Sequence, residues 1–345
     1  MASMDITAFE LGALPPDSKT SVTLTFGDGS GLRTTLPVHV VRSAAPGPTL
    51  LVIAAVHGDE YEGVHTAIRL IRDLQPAHIR GTVVVVPVVN MLAYDGITRS
   101  TPEDGCNLAR VFPGDPNGTI TQRLAYHLRE RFIRHADFLL DLHSGGTNYA
   151  VPELVGYYHN DGSEVGRRSR AAAEAFGMEV LWAHPEVNPG RTVTSATELG
   201  VPWLYTEGFG GLRIREEEEL HYREGAYRLM RHLGILPEGG AADGGGVPDE
   251  LQEALSRPPR PVKWRIAGDG NFDFSVESEV EGFFIPEAKL LDTVAEGERI
   301  GAIYDWDGTE KQAVAACGDG VVIMLTGTPR VGKNHFLYML TRAEA

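Results

Sequence analysis

Residues 50–63 read LLVIAAVHGDEYEG. Seven apolar residues, 50–56, run without alternation and stop at His57-Gly58-Asp59-Glu60. An apolar run of this kind predicts a strand buried on both faces, as in a parallel sheet covered by helices. In such sheets ligand chemistry gathers at the carboxyl ends of the strands. His57 and Glu60 stand at that end, three positions apart, on a turn that Gly58 allows. An imidazole and a carboxylate, joined by one more histidine, make a three-ligand set for a catalytic zinc that keeps its fourth position for water.

The third histidine should follow another buried strand. Residues 81–89 (GTVVVVPVV) and 137–142 (DFLLDL) read as two more, and the latter ends at His143-Ser144-Gly145-Gly146. Residues 201–206 (VPWLYT) are a further strand, ending at Glu207-Gly208. Between the strands, apolar residues recur at helical spacing: Val64, Ala67, Ile68, Ile71 and Leu74, then Leu124, Leu128 and Phe132. Helices are also expected over 163–176, in brief over 192–199, and over 216–236. Upstream, 20–26 and 34–41 alternate and are rich in β-branched residues, which predicts an edge hairpin. Residues 90–114 show little regular pattern, and long irregular loops in compact domains often carry function. Residues 237–261 shift to Gly, Pro and acid, the composition of a linker. Beyond them, short alternating segments predict a small all-β unit. The chain therefore divides into 1–236, a linker at 237–261, and a β domain at 262–345.

Residue types supply the chemistry. His57, Glu60 and His143 form a His₂Glu set at strand ends that neighbouring strands can bring together. Zinc held this way lowers the pKa of bound water to about 7 and polarises a carbonyl oxygen. The reaction then needs a base that takes a proton from water and returns it to a leaving amine. Glu207, at a strand end beside Gly-rich backbone, is the candidate. Arg99 and Arg110, on the irregular loop, supply positive charge for an oxyanion and for a substrate carboxylate. Asn107 adds an amide group for substrate. Asp141 is placed to support His143, or to serve the sheet. A lone H-x-x-E is weak evidence; the weight comes from three strands that each end in a metal-type or acidic residue. The other ten histidines read as surface or core residues.

Composition bounds the alternatives. The chain has 345 residues and a formal net charge of −16. That charge argues against nucleic acid as a partner. No apolar run approaches the roughly 20 residues of a membrane span. No secretory signal is visible at the start, so a cytoplasmic location is expected. The two cysteines, Cys106 and Cys317, read as free thiols. The four glutamates at 216–219 read as a solvated helix start, where carboxylates suit the helix dipole.

The segments VHGDEYEG (56–63), TRSTPEDGCNLARVFPG (98–114), LDLHSGG (140–146) and YTEGFGG (205–211) together resemble the succinylglutamate desuccinylase/aspartoacylase family of zinc carboxypeptidase-like amidohydrolases. The resemblance covers nearly the whole chain. It implies an α/β fold: a mixed, mostly parallel sheet flanked by helices, with a small C-terminal all-β domain at the active-site mouth. It implies one zinc per chain on His57, Glu60 and His143, Glu207 as general base and acid, Arg99 as the polarising group, and Arg110 on a substrate carboxylate. One departure stands out: the family commonly has N-L-N-R, and this chain has Asn107-Leu108-Ala109-Arg110. The expected function is a zinc-dependent deacylase of a small N-acylated amino acid or related amide. The alternatives are a metallocarboxypeptidase or lactam hydrolase, and a non-catalytic binding protein on the same fold. A small-molecule substrate is expected, and a homo-oligomer is a possible state.

Overall fold

The structure is a computed structural model, described here for residues 2–237, 249–268 and 275–343. The 50–56 run forms β4 within the following order. First come β1 (Ala2–Asp5), β2 (Ser18–Gly27), β3 (Arg33–Arg42), β4 (Thr49–Ala54), α1 (Glu62–Asp73), β5 (Thr82–Val86) and α2 (Met91–Gly96). Then follow α3 (Ile120–Arg131), β6 (Phe138–Leu142), β7 (Tyr149–Ala150), β8 (Leu154–Tyr158), α4 (Glu164–Phe176), β9 (Val180–His184), α5 (Thr192–Glu198), β10 (Trp203–Glu207) and α6 (Glu216–His232).

The sheet runs β1-β2-β3-β5-β4-β6-β10-β8-β9 through this part of the chain. β4 lies between β5 and β6 and is parallel to both, and β10 is parallel to β6. Three carboxyl ends, those of β4, β6 and β10, thus stand side by side. Every residue of β5 and β6 is buried, which is why these strands carry no polar alternation. One face of the sheet is covered by α1, α4 and α6, through Leu70, Phe176, Tyr222 and Leu229 among others. The opposite face is covered by α3 and α5, through Leu124, Leu128, Val193 and Ala196. α3 is started by a reciprocal cap, Thr119 with Gln122, which satisfies two otherwise orphaned backbone donors.

Several elements differ from the reading of the sequence. The 20–41 hairpin is not the sheet edge, because β1 adds a parallel strand outside β2. The sheet is mixed, as expected: β8 is antiparallel to β10, and β3 is antiparallel to both β2 and β5. The 90–114 loop contains the short helix α2. Within the expected linker, residues 238–248 lie outside the described residues, and Asp249–Ser256 forms α7, whose Leu251 and Ala254 are buried. The start of α6 is not fully solvated: Glu218 is buried and accepts the Phe209 backbone N–H at 2.7 Å and the Arg215 guanidinium at 3.0 Å.

The C-terminal part comprises β11 (Trp264–Ala267), β12 (Val276–Glu277), β13 (Gly282–Pro286), β14 (Thr293–Val294), β15 (Arg299–Tyr304), β16 (Glu310–Ala315), β17 (Gly320–Thr326), β18 (Arg330–Val331) and β19 (Phe336–Ala343). A four-stranded sheet, β16-β15-β13-β18, packs with β17 and β19 around their own core of Phe284, Ile300, Val322 and Leu337. β11 pairs with β9, so the main sheet continues into this part. β7 pairs with β17, which ties the stretch after His143 to the C-terminal strands. Cys106 and Cys317 are free thiols. Among the described residues no helix is long and apolar enough to cross a membrane.

Candidate metal centre and active site

His57 and Glu60 lie on the turn after β4, and His143 follows β6 directly. The turn can form only with glycine at 58. A Cβ there would lie 2.0 Å from the carbonyl carbon of Ala93, so α2 packs backbone to backbone against the His57 turn. Ligand-type atoms of His57, Glu60 and His143 all lie within 4.8 Å of one another. His57 Nδ1 stands 2.7 Å from Glu60 Oε1, and His143 Nδ1 stands 2.9 Å from Glu60 Oε2.

The outer nitrogens fix the imidazole tautomers. Asn107 Oδ1 accepts the Ala109 backbone N–H at 2.9 Å, which identifies that atom as the amide oxygen. It lies 3.2 Å from His57 Nε2, so His57 Nε2 carries a proton and donates. His143 Nε2 faces Asp141 Oδ2 at 3.2 Å, so it donates as well. Both imidazoles therefore turn Nδ1 toward the oxygens of one carboxylate. Between those nitrogens and oxygens there must sit either a ring proton or a bound cation. This donor set suits a divalent cation, and the outer partners are those that orient metal-binding histidines.

The proton equilibria reflect the same demand. Burial holds the His57 pKa down to about 4, and the Arg99 guanidinium adds to that. Burial also opposes charge on His143, but the Asp141 and Glu60 carboxylates outweigh it and raise its pKa well above the usual imidazole value. Burial opposes ionisation of Glu60, and the facing imidazoles outweigh that in turn.

Arg99 reaches this centre from the loop after α2. Its guanidinium is 3.1 Å from Glu60 Oε1 and lies over the Tyr149 ring, 5.0 Å from the centroid. Tyr149 belongs to β7, so the C-terminal strands help to place Arg99. Glu207 is the last residue of β10 and is buried. Burial, then the negative charge of Glu60, push its pKa well above the usual carboxyl range. Glu207, Arg99 and Arg110 line one cleft with His57, His143 and Asp141, around a cavity of about 50 Å³. A larger cavity, about 690 Å³, lies beside Arg42 and Glu130 at the opposite ends of the strands, far from this chemistry. Arg42 there donates to the carbonyls of Leu11, Gly12 and Leu14, a structural use.

The structure brings together all the residues singled out from the sequence. The Asn107 side-chain oxygen is engaged by His57 Nε2 and the Ala109 N–H. Four cleft residues escaped the sequence reading: Arg191, Thr192, Val193 and Tyr205. The Thr192 hydroxyl donates to Asp141 Oδ2. The Tyr205 ring lies across Gly156 of β8, and its hydroxyl is 2.7 Å from His184 Nε2 on β9. His184 Nδ1 donates to the Gly268 carbonyl at 2.7 Å, so Tyr205 must be the donor to Nε2. Nothing in the local sequence marks these four residues; they meet the site through the α5 turn and the sheet.

A family model of the succinylglutamate desuccinylase/aspartoacylase catalytic domain matches residues 46–233. The N-alpha-acetyl-L-2,4-diaminobutyric acid deacetylase of Halomonas elongata is 32% identical over 271 residues, 78% of this chain and 74% of that protein. A crystal structure of a succinylglutamate desuccinylase/aspartoacylase from Rhodobacter sphaeroides has a TM-score of 0.80 at 27% identity, over 95% of this chain and 96% of that one. The product-bound ectoine utilization protein EutE (DoeB) from Ruegeria pomeroyi has the same fold, with a TM-score of 0.79 at 24% identity, over 96% of this chain and 97% of that one. The chain belongs to the succinylglutamate desuccinylase/aspartoacylase family.

Proposed function

We propose that the chain is a zinc-dependent amidohydrolase that deacylates a small N-acylated amino acid. The observation that carries this reading is the convergence of the Nδ1 atoms of His57 and His143 on the Glu60 carboxylate, beside Glu207 and Arg99 in one cleft. Zinc on His57, Glu60 and His143 would supply an activated water and a Lewis acid for the amide carbonyl.

The chain's own residues do the rest. Glu207 takes a proton from the attacking water as its oxygen adds to the carbonyl carbon. Its burial and raised pKa suit a group that must hold that proton and then give it up. Arg99 donates to the oxygen that becomes negative in the tetrahedral intermediate. Glu207 passes its proton to the amine nitrogen as the C–N bond breaks, and a carboxylic acid and an amine leave. Arg110 holds the carboxylate of the amine half. Asn107 and Asp141 hold the two imidazoles, so Asn107 acts as a positioning residue.

The deacetylase relative points to N-acetyl amino acids, with a diamino acid as the first amine half to try. Ala109 in place of asparagine weakens recognition of a peptide C-terminus and disfavours the carboxypeptidase alternative. The test is release of free amine from N-acetyl, N-succinyl and N-formyl amino acids by the zinc-loaded protein. Turnover lost in Glu207→Gln supports the reading. Absence of turnover on the whole panel with zinc fully bound defeats it.

A further inference from the structure

Three acids on the turn between β4 and α1 reach across to the segment after β6. Asp59 Oδ2 accepts the Thr147 backbone N–H at 2.8 Å and the Thr147 hydroxyl at 2.6 Å. Glu60 Oε2 accepts the Ser144 backbone N–H at 3.2 Å. Glu62 Oε2 accepts the Ser144 hydroxyl at 2.5 Å and the Tyr61 N–H at 3.1 Å. Glu62 is the first residue of α1, and Gly63 beside it allows this reach. A Cβ on Gly63 would lie 2.6 Å from the Leu142 Cβ and 2.7 Å from the Leu142 carbonyl oxygen, so the start of α1 presses on the end of β6. From α6, the Tyr222 hydroxyl donates to the His143 carbonyl at 2.7 Å. The peptide that joins His143 to Ser144 is thus held by Tyr222 at its oxygen and by Glu60 at its N–H. Glu62 holds the side chain that follows.

Burial sets Glu62 apart from an ordinary acid at a helix start. It is 1% exposed, and its Oε1 is buried with no hydrogen-bond partner among the described residues. Two further carboxyl groups, those of Glu60 and Glu218, lie near it. A buried, half-satisfied carboxyl group costs stability. An exposed glutamate would serve the helix dipole without that cost. A residue that breaks a local rule in this way is expected where function requires it. Glu62 reaches the metal centre through Ser144. His57 Nδ1 and Arg99 stand at Glu60 Oε1, at 2.7 and 3.1 Å, so the Ser144 N–H completes the grip on the carboxylate at its other oxygen.

We propose that Glu62 is a positioning residue for the metal centre. By fixing the Ser144 hydroxyl it keeps the Ser144 N–H on Glu60 Oε2, and so holds the Glu60 carboxylate in register with His143. The proposal rests on the reading of His57, Glu60 and His143 as metal ligands and is independent of the substrate.

The test measures zinc affinity of the full chain by competition with a chromophoric chelator, together with the visible spectrum of the cobalt(II) form, which reports ligand geometry. Glu62→Met keeps the length and removes the acceptor; Ser144→Ala removes the donor and keeps every charge. Each should weaken zinc binding about 10- to 100-fold, the usual range for loss of a partner behind a metal ligand, and each should alter the cobalt spectrum. The double variant should bind no more weakly than the weaker single variant, because both act through one contact. A loss confined to Glu62→Met would mark a charge effect or a helix cap and overturn the proposal, as would additive losses. Amide hydrogen exchange of the metal-free chain gives a second readout, without ion or turnover. Exchange at Ser144 should be faster in Glu62→Met than in wild type, with β6 unchanged. Equal protection of Ser144 in the two overturns the proposal, even if Ser144→Ala fails to fold. A wild type that takes up no zinc defeats the metal reading and this proposal with it. A wild type that binds zinc, with both variants binding as tightly, defeats this proposal alone.

Discussion

Asp141 Oδ2 stands 3.2 Å from His143 Nε2, on the side of the ring away from Glu60. The carboxylate holds the Nε2 proton, so Nδ1 is the nitrogen that faces Glu60 and the candidate metal position. Asp141→Asn preserves shape and removes the charge. Loss of such an outer partner lowers metal affinity about 10- to 100-fold. Competition with a chromophoric chelator measures this, and the pH at which metal is released should rise. Unchanged affinity would show that His143 needs no carboxylate behind it.

Glu207→Gln should bind zinc as wild type does and lose about 10²- to 10⁴-fold in kcat. A general base works only when ionised, and burial raises the Glu207 pKa. The acid limb of kcat/KM should therefore lie above the ordinary glutamate value of about 4.3. The same shift predicts stability without metal. Folded Glu207 keeps a proton that the unfolded chain releases above about pH 4.3, so its burial costs stability as pH rises past that value. Metal-free Glu207→Gln should melt above wild type at neutral pH, with the gap closing toward pH 4. A constant gap across that range would place the effect elsewhere than in ionisation.

Tyr205→Phe removes the donor to His184 Nε2 and leaves a buried acceptor unpaired. Such a loss costs about 1–3 kcal/mol, read as a lower urea midpoint at constant slope. Burial holds the His184 pKa down to about 3. Between that value and the ordinary value of about 6.5 the unfolded chain binds the extra proton, so this histidine lowers stability as pH falls. His184→Gln should remove that share of the acid sensitivity, visible in midpoints taken from pH 7 to 4.

Gly58→Ala tests the seat of the metal turn. Its methyl group would meet the Ala93 backbone rather than a side chain that can swing aside. Overpacking of this kind costs about 1–3 kcal/mol or more. Metal affinity should fall together with stability, since His57 and Glu60 ride on the same turn. A variant with wild-type melting and wild-type zinc binding would mean that α2 yields easily.

β4, β5 and β6 are legible in the chain alone, because a dense apolar run has no other comfortable place. The candidate ligand set is legible in the same way, since His57, Glu60 and His143 each stand near where such a run stops. Local spacing cannot carry information about residues that meet across the sheet. The parallel register of β4, β6 and β10 decided that three strand ends coincide. The antiparallel insertion of β8, with Gly156 beneath the Tyr205 ring, decided that Tyr205 reaches His184. Asn107 became a partner of His57 only when the loop folded back over the β4 turn. Arg191 is one arginine before a seven-residue helix; only the contact of Gly190 with the Arg110 backbone brings it to the cleft. Glu218 looked solvated because a run of glutamates usually is, and the neighbouring loop buried it. Periodicity and strand ends are local properties of the chain, whereas the partners of a side chain depend on which distant backbones pack against it.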